Sequence, residues 1–183
     1  PQMVDAEQRR RAKAVNFGIA YGQGAFGLAQ NLGIPRAEAK QIIDDYFGQF
    51  PGVRNYMDEM IGFCRTNGYI KTLMGRRRYL PDITSGNNTV RAQAERIAIN
   101  APMQGSAADI IKVAMVNIHG DLKQRGMRSR LLLQVHDELV FDAHNDETAA
   151  LKELVRDRME GALALDVPLV VDMAVGKNWL EAH

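Results

Sequence analysis

Apolar residues recur every three or four positions through most of the first half of the chain, which is the spacing of one face of a helix. Asp5 followed by Gln8 is a capping box that begins the first such segment, and Gly22 ends it. Gly33 and Gly68 end later segments in the same way. The pattern predicts four helices, over residues 5–21, 24–33, 35–50 and 51–68.

Short apolar runs alternate with further helical segments in the rest of the chain. One hairpin is predicted around Met74 and Gly75, and a second places His136 and Asp137 at its turn. Pro102 is expected to separate two helices because it lacks a backbone donor. The predicted elements are hairpins at 69–81 and 130–143, helices at 89–100, 105–126 and 146–163, the last capped by Asp146, and a closing strand at 167–175. This order predicts an α+β fold with a small antiparallel sheet.

The charge distribution is uneven, although the 183 residues carry a net charge of only +1. Residues 1–105 hold 14 basic and 9 acidic residues, whereas residues 106–183 hold 9 and 13. A basic half beside an acidic half can bind phosphates together with metal ions, and two differently solvated surfaces explain the same counts equally well.

The composition also restricts the cellular setting. Cys64 is the single cysteine, so no intrachain disulfide forms. No signal peptide is recognisable, and no apolar run reaches the roughly 20 residues that span a bilayer. We therefore expect a soluble, cytoplasmic protein without a membrane partner. The sequence does not begin with Met, and we expect it to be a piece of a longer chain.

Four residues at a spacing of four share one face of the first predicted helix: Arg9, Lys13, Phe17 and Tyr21. Arginine and lysine bind phosphate oxygens, and an aromatic ring stacks on a base or a sugar. A nucleoside triphosphate lying along this helix would meet the cations with its phosphates and the rings with its base. The alternative is an amphipathic helix with a solvated basic start and a buried aromatic end.

A second candidate site is the turn of the later hairpin, where Asp137 and Glu138 are adjacent. Carboxylates held close together bind Mg²⁺, which takes oxygen ligands. An exposed polar turn without a ligand is the plain alternative. A metal-dependent phosphohydrolase of the His-Asp type is a rival, but such a site needs further His and Asp ligands and usually carries its doublet on a helix.

Arg96, Asn100 and Gln104 repeat the spacing of four. Their side chains can donate hydrogen bonds to minor-groove acceptors that all base pairs share. That property suits a protein that must hold any DNA sequence. A partly buried polar seam between helices is the alternative interpretation.

The glycines at 22, 24 and 27 match a dinucleotide-binding fingerprint, with Asp44 or Asp45 as the acid that should follow. That fingerprint requires a buried strand before its first glycine. The residues before Gly22 are instead rich in basic residues and begin with a helix cap, so the glycines more plausibly end one helix and start the next.

Four segments in order resemble the DNA polymerases of family A, the DNA polymerase I type. "RRRAKAVNFGIAYG" resembles motif B, R-x-x-x-K-x-x-x-F-x-x-x-Y-G, and "QVHDELVF" resembles motif C. "APMQGSAADIIK" and "GKNWLEAH" are also similar to that family. The resemblance runs from about Gln8 to the C-terminus, and it implies a fragment of a right-hand polymerase with a helical fingers region at 1–87 and part of the palm at 88–183.

On the nucleotide side, the resemblance implies that Arg9 and Lys13 contact the triphosphate of a deoxynucleotide. Lys13 is also the implied proton donor to the leaving pyrophosphate. Phe17 would face the incoming sugar, and Tyr21 would lie where the nascent base pair is checked.

On the DNA side, the resemblance implies that Asp137 binds catalytic Mg²⁺ with Glu138 nearby, and that His136 lies near the primer end. The implied contacts with the primer–template are made by Arg96, Asn100 and Gln104.

One departure from the family concerns motif A, D-Y-S-Q-I-E-L-R, which nothing in this sequence matches. It supplies the second aspartate of a two-metal site, which we expect upstream in the remainder of a polymerase chain. The 183 residues alone are therefore expected to be inactive. A nucleotide- or DNA-binding module without catalysis is the alternative function.

Overall fold

The computed structural model describes residues 4–182. Its helices are α1 Ala6–Ala20, α2 Ala25–Leu32, α3 Arg36–Gln49, α4 Pro51–Asn67, α5 Asn88–Gln124, α6 Thr148–Glu160 and α7 Trp179–Ala182. Its strands are β1 Tyr69–Lys71, β2 Arg77–Tyr79, β3 Arg130–Val135 and β4 Glu138–Asp142, which form two separate antiparallel pairs, β1–β2 and β3–β4. Two compact units divide within α5, the first ending at Met103 and the second beginning at Gln104.

The first unit is built from α1–α4, the β1–β2 hairpin and the start of α5. Local signals set its boundaries: Asp5 and Gln8 form the predicted capping box, and Gly33 and Gly68 end α2 and α4 with left-handed backbones. One core joins α2 and α3 through Leu28, Ala29 and Ala39. A second core joins α4, the hairpin and α5, through Cys64, Ile70, Leu80, Ile83, Ala94, Ala98 and Ala101.

The second unit packs α6 against the end of α5 and the β3–β4 hairpin. Its core consists of Ala114, Ile118, Leu122, Leu151, Leu154 and Val155. Leu139 and Phe141 of β4 pack against that core and so fix the face on which the hairpin lies. The predicted turn is confirmed, since Val135 pairs with Glu138 and leaves His136 and Asp137 between the strands.

The predicted break at Pro102 is wrong, because α5 continues through this residue. Proline cannot donate to the carbonyl four residues earlier, and its ring crowds that carbonyl. Packing outweighs this local cost, since Ala98 and Ala101 before it are buried in the core of the first unit. Tyr56 of α4 also donates its hydroxyl to the Ile99 carbonyl at 3.1 Å, which ties this stretch of α5 to α4.

The closing strand predicted at 167–175 is also wrong, because this segment has no regular secondary structure. A strand requires a partner, and no strand pairs with these residues in the part of the chain that the structure describes. Val170 is 76% exposed despite its high strand propensity.

Asp146 does not cap α6, contrary to the sequence prediction. It lies within a single 3-10 turn, Asn145–Glu147, and α6 begins after it, at Thr148. The Asp146 backbone N–H donates to Nδ1 of His144 at 3.3 Å.

Within residues 4–182 we find no helix with the length and apolarity to cross a membrane.

Candidate functional site

A cleft of about 490 Å³ lies beside the second half of α1 in the first unit. Lys13, Phe17 and Tyr21 line it together with Arg96 of α5. The structure therefore places three of the four residues predicted for the α1 face at one cleft. Arg9 is exposed on α1 but does not line the cleft.

The aromatic residues of the cleft are open to solvent. The ring centroids of Phe17 and Tyr21 are 6.1 Å apart with the planes at 21°, so the two rings stack. Phe17 is 50% exposed and Tyr21 is 44% exposed. These exposed rings contradict the alternative of a buried aromatic end for α1, and they offer flat apolar surface to a ligand.

The cations of the cleft are available to an anionic ligand. Lys13 and Arg96 are exposed, and neither makes an ion pair with another residue between 4 and 182. By contrast, Arg10 on a neighbouring face of α1 is held by Glu7 at 2.6 Å. An unpaired lysine and arginine beside two exposed rings suit a ligand that carries both phosphates and a flat base.

Asn100 fixes the end of α1 against α5. Its Nδ2 donates to the Tyr21 carbonyl at 3.3 Å, and its Oδ1 is buried without a hydrogen-bond partner among the described residues. Gly22 follows with a φ of 75°, and a Cβ there would lie 3.3 Å from Cγ of Arg96. Asn100 thus positions Tyr21, a role that its spacing in the sequence did not reveal.

Gln23 is a cleft residue that the sequence reasoning missed. Its side chain occupies space that only a glycine leaves open, since a Cβ at Gly18 would collide with Gln23 Oε1 and one at Gly27 would lie 2.9 Å from Gln23 Cγ. The glycines around it were the available signal. Their spacing does not mark a dinucleotide-binding loop, because helix α1, not a strand, precedes them.

The β3–β4 turn presents the second candidate site, in the second unit. His136 adopts a φ of 53°, a left-handed backbone that a non-glycine residue rarely takes. Gln134 Nε2 donates to the His136 carbonyl at 2.7 Å and so braces this turn. Asp137 is exposed at the turn, and Glu138 is half-buried at the start of β4. Strained residues in a supported turn are common at functional sites.

Glu147 ties together the two ends of this hairpin. Its carboxylate accepts from the backbone N–H of Arg128 at 3.0 Å, and from the backbone N–H and hydroxyl of Ser129 at 2.9 and 2.7 Å. The Ser129 hydroxyl in turn accepts from the backbone N–H of His144 at 3.0 Å. The Arg128 N–H, followed by the Ser129 donors, lowers the pKa of Glu147 to about 2. Residues just before β3 and just after β4 are thereby held in one network.

Glu147→Gln is expected to lower the Tm at neutral pH. It is also expected to make the Tm fall less steeply as the pH is lowered. Because the pKa of Glu147 is lowered from 4.5 to about 2 on folding, its ionised form stabilises the folded state above pH 4.5. That contribution is lost as the pH falls toward 2. Thermal unfolding followed by circular dichroism across this pH range measures both effects. Glu153→Gln, at an exposed acid of the following helix α6, is the matched control, and identical curves for the two variants would refute the role of Glu147.

The hairpin turn carries two neighbouring carboxylates. Asp137 and Glu138 supply carboxylate oxygens, which suit a hard divalent cation. No group of three or more His, Cys, Asp or Glu residues lies together among residues 4–182. The His-Asp phosphohydrolase alternative is not supported, since the described residues do not bring further ligands to the doublet, which lies at a turn.

The three residues predicted to hold DNA are separated by the division of the chain. Arg96 lines the cleft and Asn100 contacts Tyr21, both in the first unit. Gln104 is exposed on α5 and belongs to the second unit.

Known proteins match this chain over almost its whole length. Residues 1–181 match the sequence model of DNA polymerase family A. The chain is 52% identical over 182 residues to DNA polymerase I of Streptococcus pneumoniae strain R6, covering 100% of this chain and 21% of that protein. It is 54% identical over 179 residues to DNA polymerase I of Bacillus subtilis, covering 98% of this chain and 20% of that protein.

A solved structure shares the fold. The POL domain of Pol1 from M. smegmatis, in complex with DNA primer-template and dNTP, superposes with a TM-score of 0.95 at 52% identity. The match covers 98% of this chain and 32% of that one. The chain thus spans about a fifth of the length of the curated relatives it matches.

Proposed function

Since this chain belongs to DNA polymerase family A, we propose that it is the fingers-like region and part of the palm of a DNA-directed DNA polymerase. The fingers-like region is assigned to residues 1–87 and the palm portion to residues 88–183. The reaction is templated nucleotidyl transfer from a deoxynucleoside triphosphate to the 3′-hydroxyl of a primer, with release of pyrophosphate. The mostly helical fold with small antiparallel sheets is that of a right-hand polymerase fragment.

The observation that carries this proposal is the cleft in which Lys13 and Arg96 lie beside the stacked rings of Phe17 and Tyr21. Arg9 and Lys13 bind the triphosphate, and Lys13 donates a proton to the leaving pyrophosphate. Phe17 faces the sugar, and Tyr21 lies against the nascent base pair. The exposed cations supply charge where negative charge develops during transfer.

Contacts with the primer–template are assigned to four residues. Arg96, Asn100 and Gln104 hold DNA, and His136 contacts the primer end. Asn100 has a second role in this scheme, since its bond to the Tyr21 carbonyl holds the end of α1 in place. A DNA contact made by Asn100 would therefore also affect the position of Tyr21.

Polymerases of this family use divalent metal ions. We assign Mg²⁺ to this protein, with Asp137 as a ligand, Glu138 beside it and a second aspartate contributed from outside these 183 residues. Mg²⁺ held there would supply electrostatic stabilisation of the charge that develops during transfer. The part of this chain is to hold Asp137 in a rigid turn, for which the Gln134 bond to His136 and the Glu147 network provide the support.

The partners in this proposal are primer–template DNA, deoxynucleoside triphosphates and the remainder of a longer polymerase chain. We place the protein in the cytoplasm, in agreement with its single cysteine, which is buried and free.

We expect the 183-residue chain by itself to bind deoxynucleotides without extending a primer. Residues 4–182 bring no third His, Cys, Asp or Glu to Asp137 and Glu138, so the described part of the chain does not supply the ligands of a two-metal site. The test is primer extension with Mg²⁺ and all four deoxynucleotides, alongside binding of a fluorescent deoxynucleotide. A longer polymerase chain that includes motif A is the positive control. Templated extension by the short chain, lost in Asp137→Asn, would contradict the expectation. A longer chain that binds deoxynucleotides but never extends the primer would support the alternative function, a binding module without catalysis.

A further inference from the structure

The β1–β2 hairpin of the first unit has one buried face and one solvent face. Its register pairs Tyr69 with Tyr79, Ile70 with Arg78 and Lys71 with Arg77. Ile70 is 2% exposed and packs in the core that includes Cys64 and Leu80. Because side chains alternate along a strand, the two tyrosines, Lys71 and Arg77 share the opposite, solvent face. We call these four residues the hairpin face.

Two like charges lie directly across the strands on the hairpin face. Lys71 and Arg77 are cross-strand partners, an arrangement that destabilises an isolated sheet. Neither makes an ion pair with an acid in the described part of the chain. Instead, Arg77 Cζ lies 4.6 Å from the centroid of the Tyr69 ring, and Lys71 Nζ lies 5.6 Å from that of Phe63. The rings hold both cations in place without neutralising them.

Aromatic rings continue across the same face. The Tyr69 centroid is 5.7 Å from that of Tyr79 and 5.6 Å from that of Phe63 on α4. Tyr79, at the end of this row, is 67% exposed. A row of rings that ends in an open tyrosine offers a stacking surface, and it lies beside two unneutralised cations.

We propose that the hairpin face binds single-stranded DNA, with Lys71 and Arg77 on backbone phosphates and Tyr79 stacked on a base. Cations that follow a backbone, combined with exposed rings, are how proteins hold single strands without reading their sequence. An acidic peptide would match the charges but would leave the tyrosine surface unused. The choice of DNA as the nucleic acid rests on the proposed function. The site itself is separate from the nucleotide cleft, since none of its four residues lines that cleft.

The test is fluorescence anisotropy of a labelled oligothymidine of about 12 nucleotides, without nucleotide, Mg²⁺ or primer. Lys71→Gln combined with Arg77→Gln is expected to weaken binding about tenfold, and to reduce the slope of log K against log salt by about 0.7 for each lost phosphate contact. Tyr79→Leu keeps an apolar side chain and is expected to weaken binding about fivefold or more with the salt slope unchanged. All three side chains are exposed, and circular dichroism and Tm establish that the variants fold.

Arg78→Gln is the control for loss of charge at the hairpin, because it removes one positive charge from the same strand as Arg77 but on the other face. Binding by this variant should be unchanged. An equal loss in Arg78→Gln, or unaltered binding in both Lys71/Arg77 and Tyr79 variants, would overturn the proposal. So would a polyglutamate peptide that binds as tightly as the oligonucleotide and loses affinity in the same variants.

Binding of a fluorescent deoxynucleotide to Lys13→Ala, measured in parallel, separates this inference from the proposed function. Unchanged oligothymidine binding in the hairpin variants with weakened nucleotide binding in Lys13→Ala would refute the hairpin site alone. Weakened oligothymidine binding in the hairpin variants, with unchanged nucleotide binding in Lys13→Ala, would refute the nucleotide cleft and support the hairpin site.

Discussion

Asp137→Asn is expected to slow templated nucleotide addition by the longer polymerase about a thousandfold or more. Asparagine has nearly the same shape but carries no charge, so Asp137 would no longer bind Mg²⁺ as a carboxylate. Metal-assisted charge stabilisation amounts to several kcal/mol, and roughly every 1.4 kcal/mol corresponds to a tenfold change in rate. Single-turnover incorporation of one deoxynucleotide, with enzyme in excess over primer–template, measures the effect on the chemical step.

Asp142→Asn is the matched control for this substitution. Asp142 is an exposed acid of the same hairpin, at the far end of β4 from the turn, where it pairs with Arg130. Its replacement should leave the rate nearly unchanged. Comparable losses in the two variants would mean that the negative charge of the hairpin, not a ligand at its turn, determines the rate. An undiminished rate in Asp137→Asn would remove the metal site from this turn.

Lys13→Ala is expected to lower the rate of nucleotide addition about 10²–10³-fold, or about 2.7–4 kcal/mol, by analogy with the loss of one donor to a developing oxyanion. Lys13 is exposed at the cleft and unpaired among residues 4–182, so its charge is free to act on the triphosphate. Affinity for primer–template should change much less, because the proposed action of Lys13 is on charge that grows in the transition state. Single-turnover rates and DNA dissociation constants, measured on the same preparations, separate the two effects.

Arg11→Ala provides the control for Lys13. Arg11 is exposed on the same helix and lies two residues away, about 200° around the helix axis, so it points away from the cleft. The rate should hardly change in this variant. An unchanged rate in Lys13→Ala, together with much weaker primer–template binding, would instead assign Lys13 to holding DNA.

The elements that could be predicted are those set by signals within a few residues. The capping box of Asp5 and Gln8 begins α1, and the left-handed glycines at 33 and 68 end α2 and α4. These signals act independently of how the helices pack against the rest of the protein. The two-residue turn at His136 and Asp137 follows from the apolar runs that flank it. The predicted face of α1 is confirmed for Lys13, Phe17 and Tyr21, because helical periodicity alone places them on one side.

Predictions failed where a distant part of the molecule outweighed a local preference. Pro102 is a helix breaker by itself, yet α5 passes through it because buried residues before it hold the helix in a core. The valines of 167–175 favour a strand, yet a strand forms only against a partner, and the described residues supply none.

The sequence by itself determined the ends of α1, α2 and α4, the turn at His136 and Asp137, the charged and aromatic face of α1 and the motifs shared with family A polymerases. Only the tertiary structure decided that Asn100 holds Tyr21, that Gln23 fills the space left by Gly18 and Gly27, and that Glu147 ties the ends of the β3–β4 hairpin. It also decided that Lys71 and Arg77 share an uncovered face with two tyrosines. The physical reason is the range of each effect. Caps, turns and periodicity act over one or two turns of the backbone, whereas these contacts depend on strand register and on which residues are packed together.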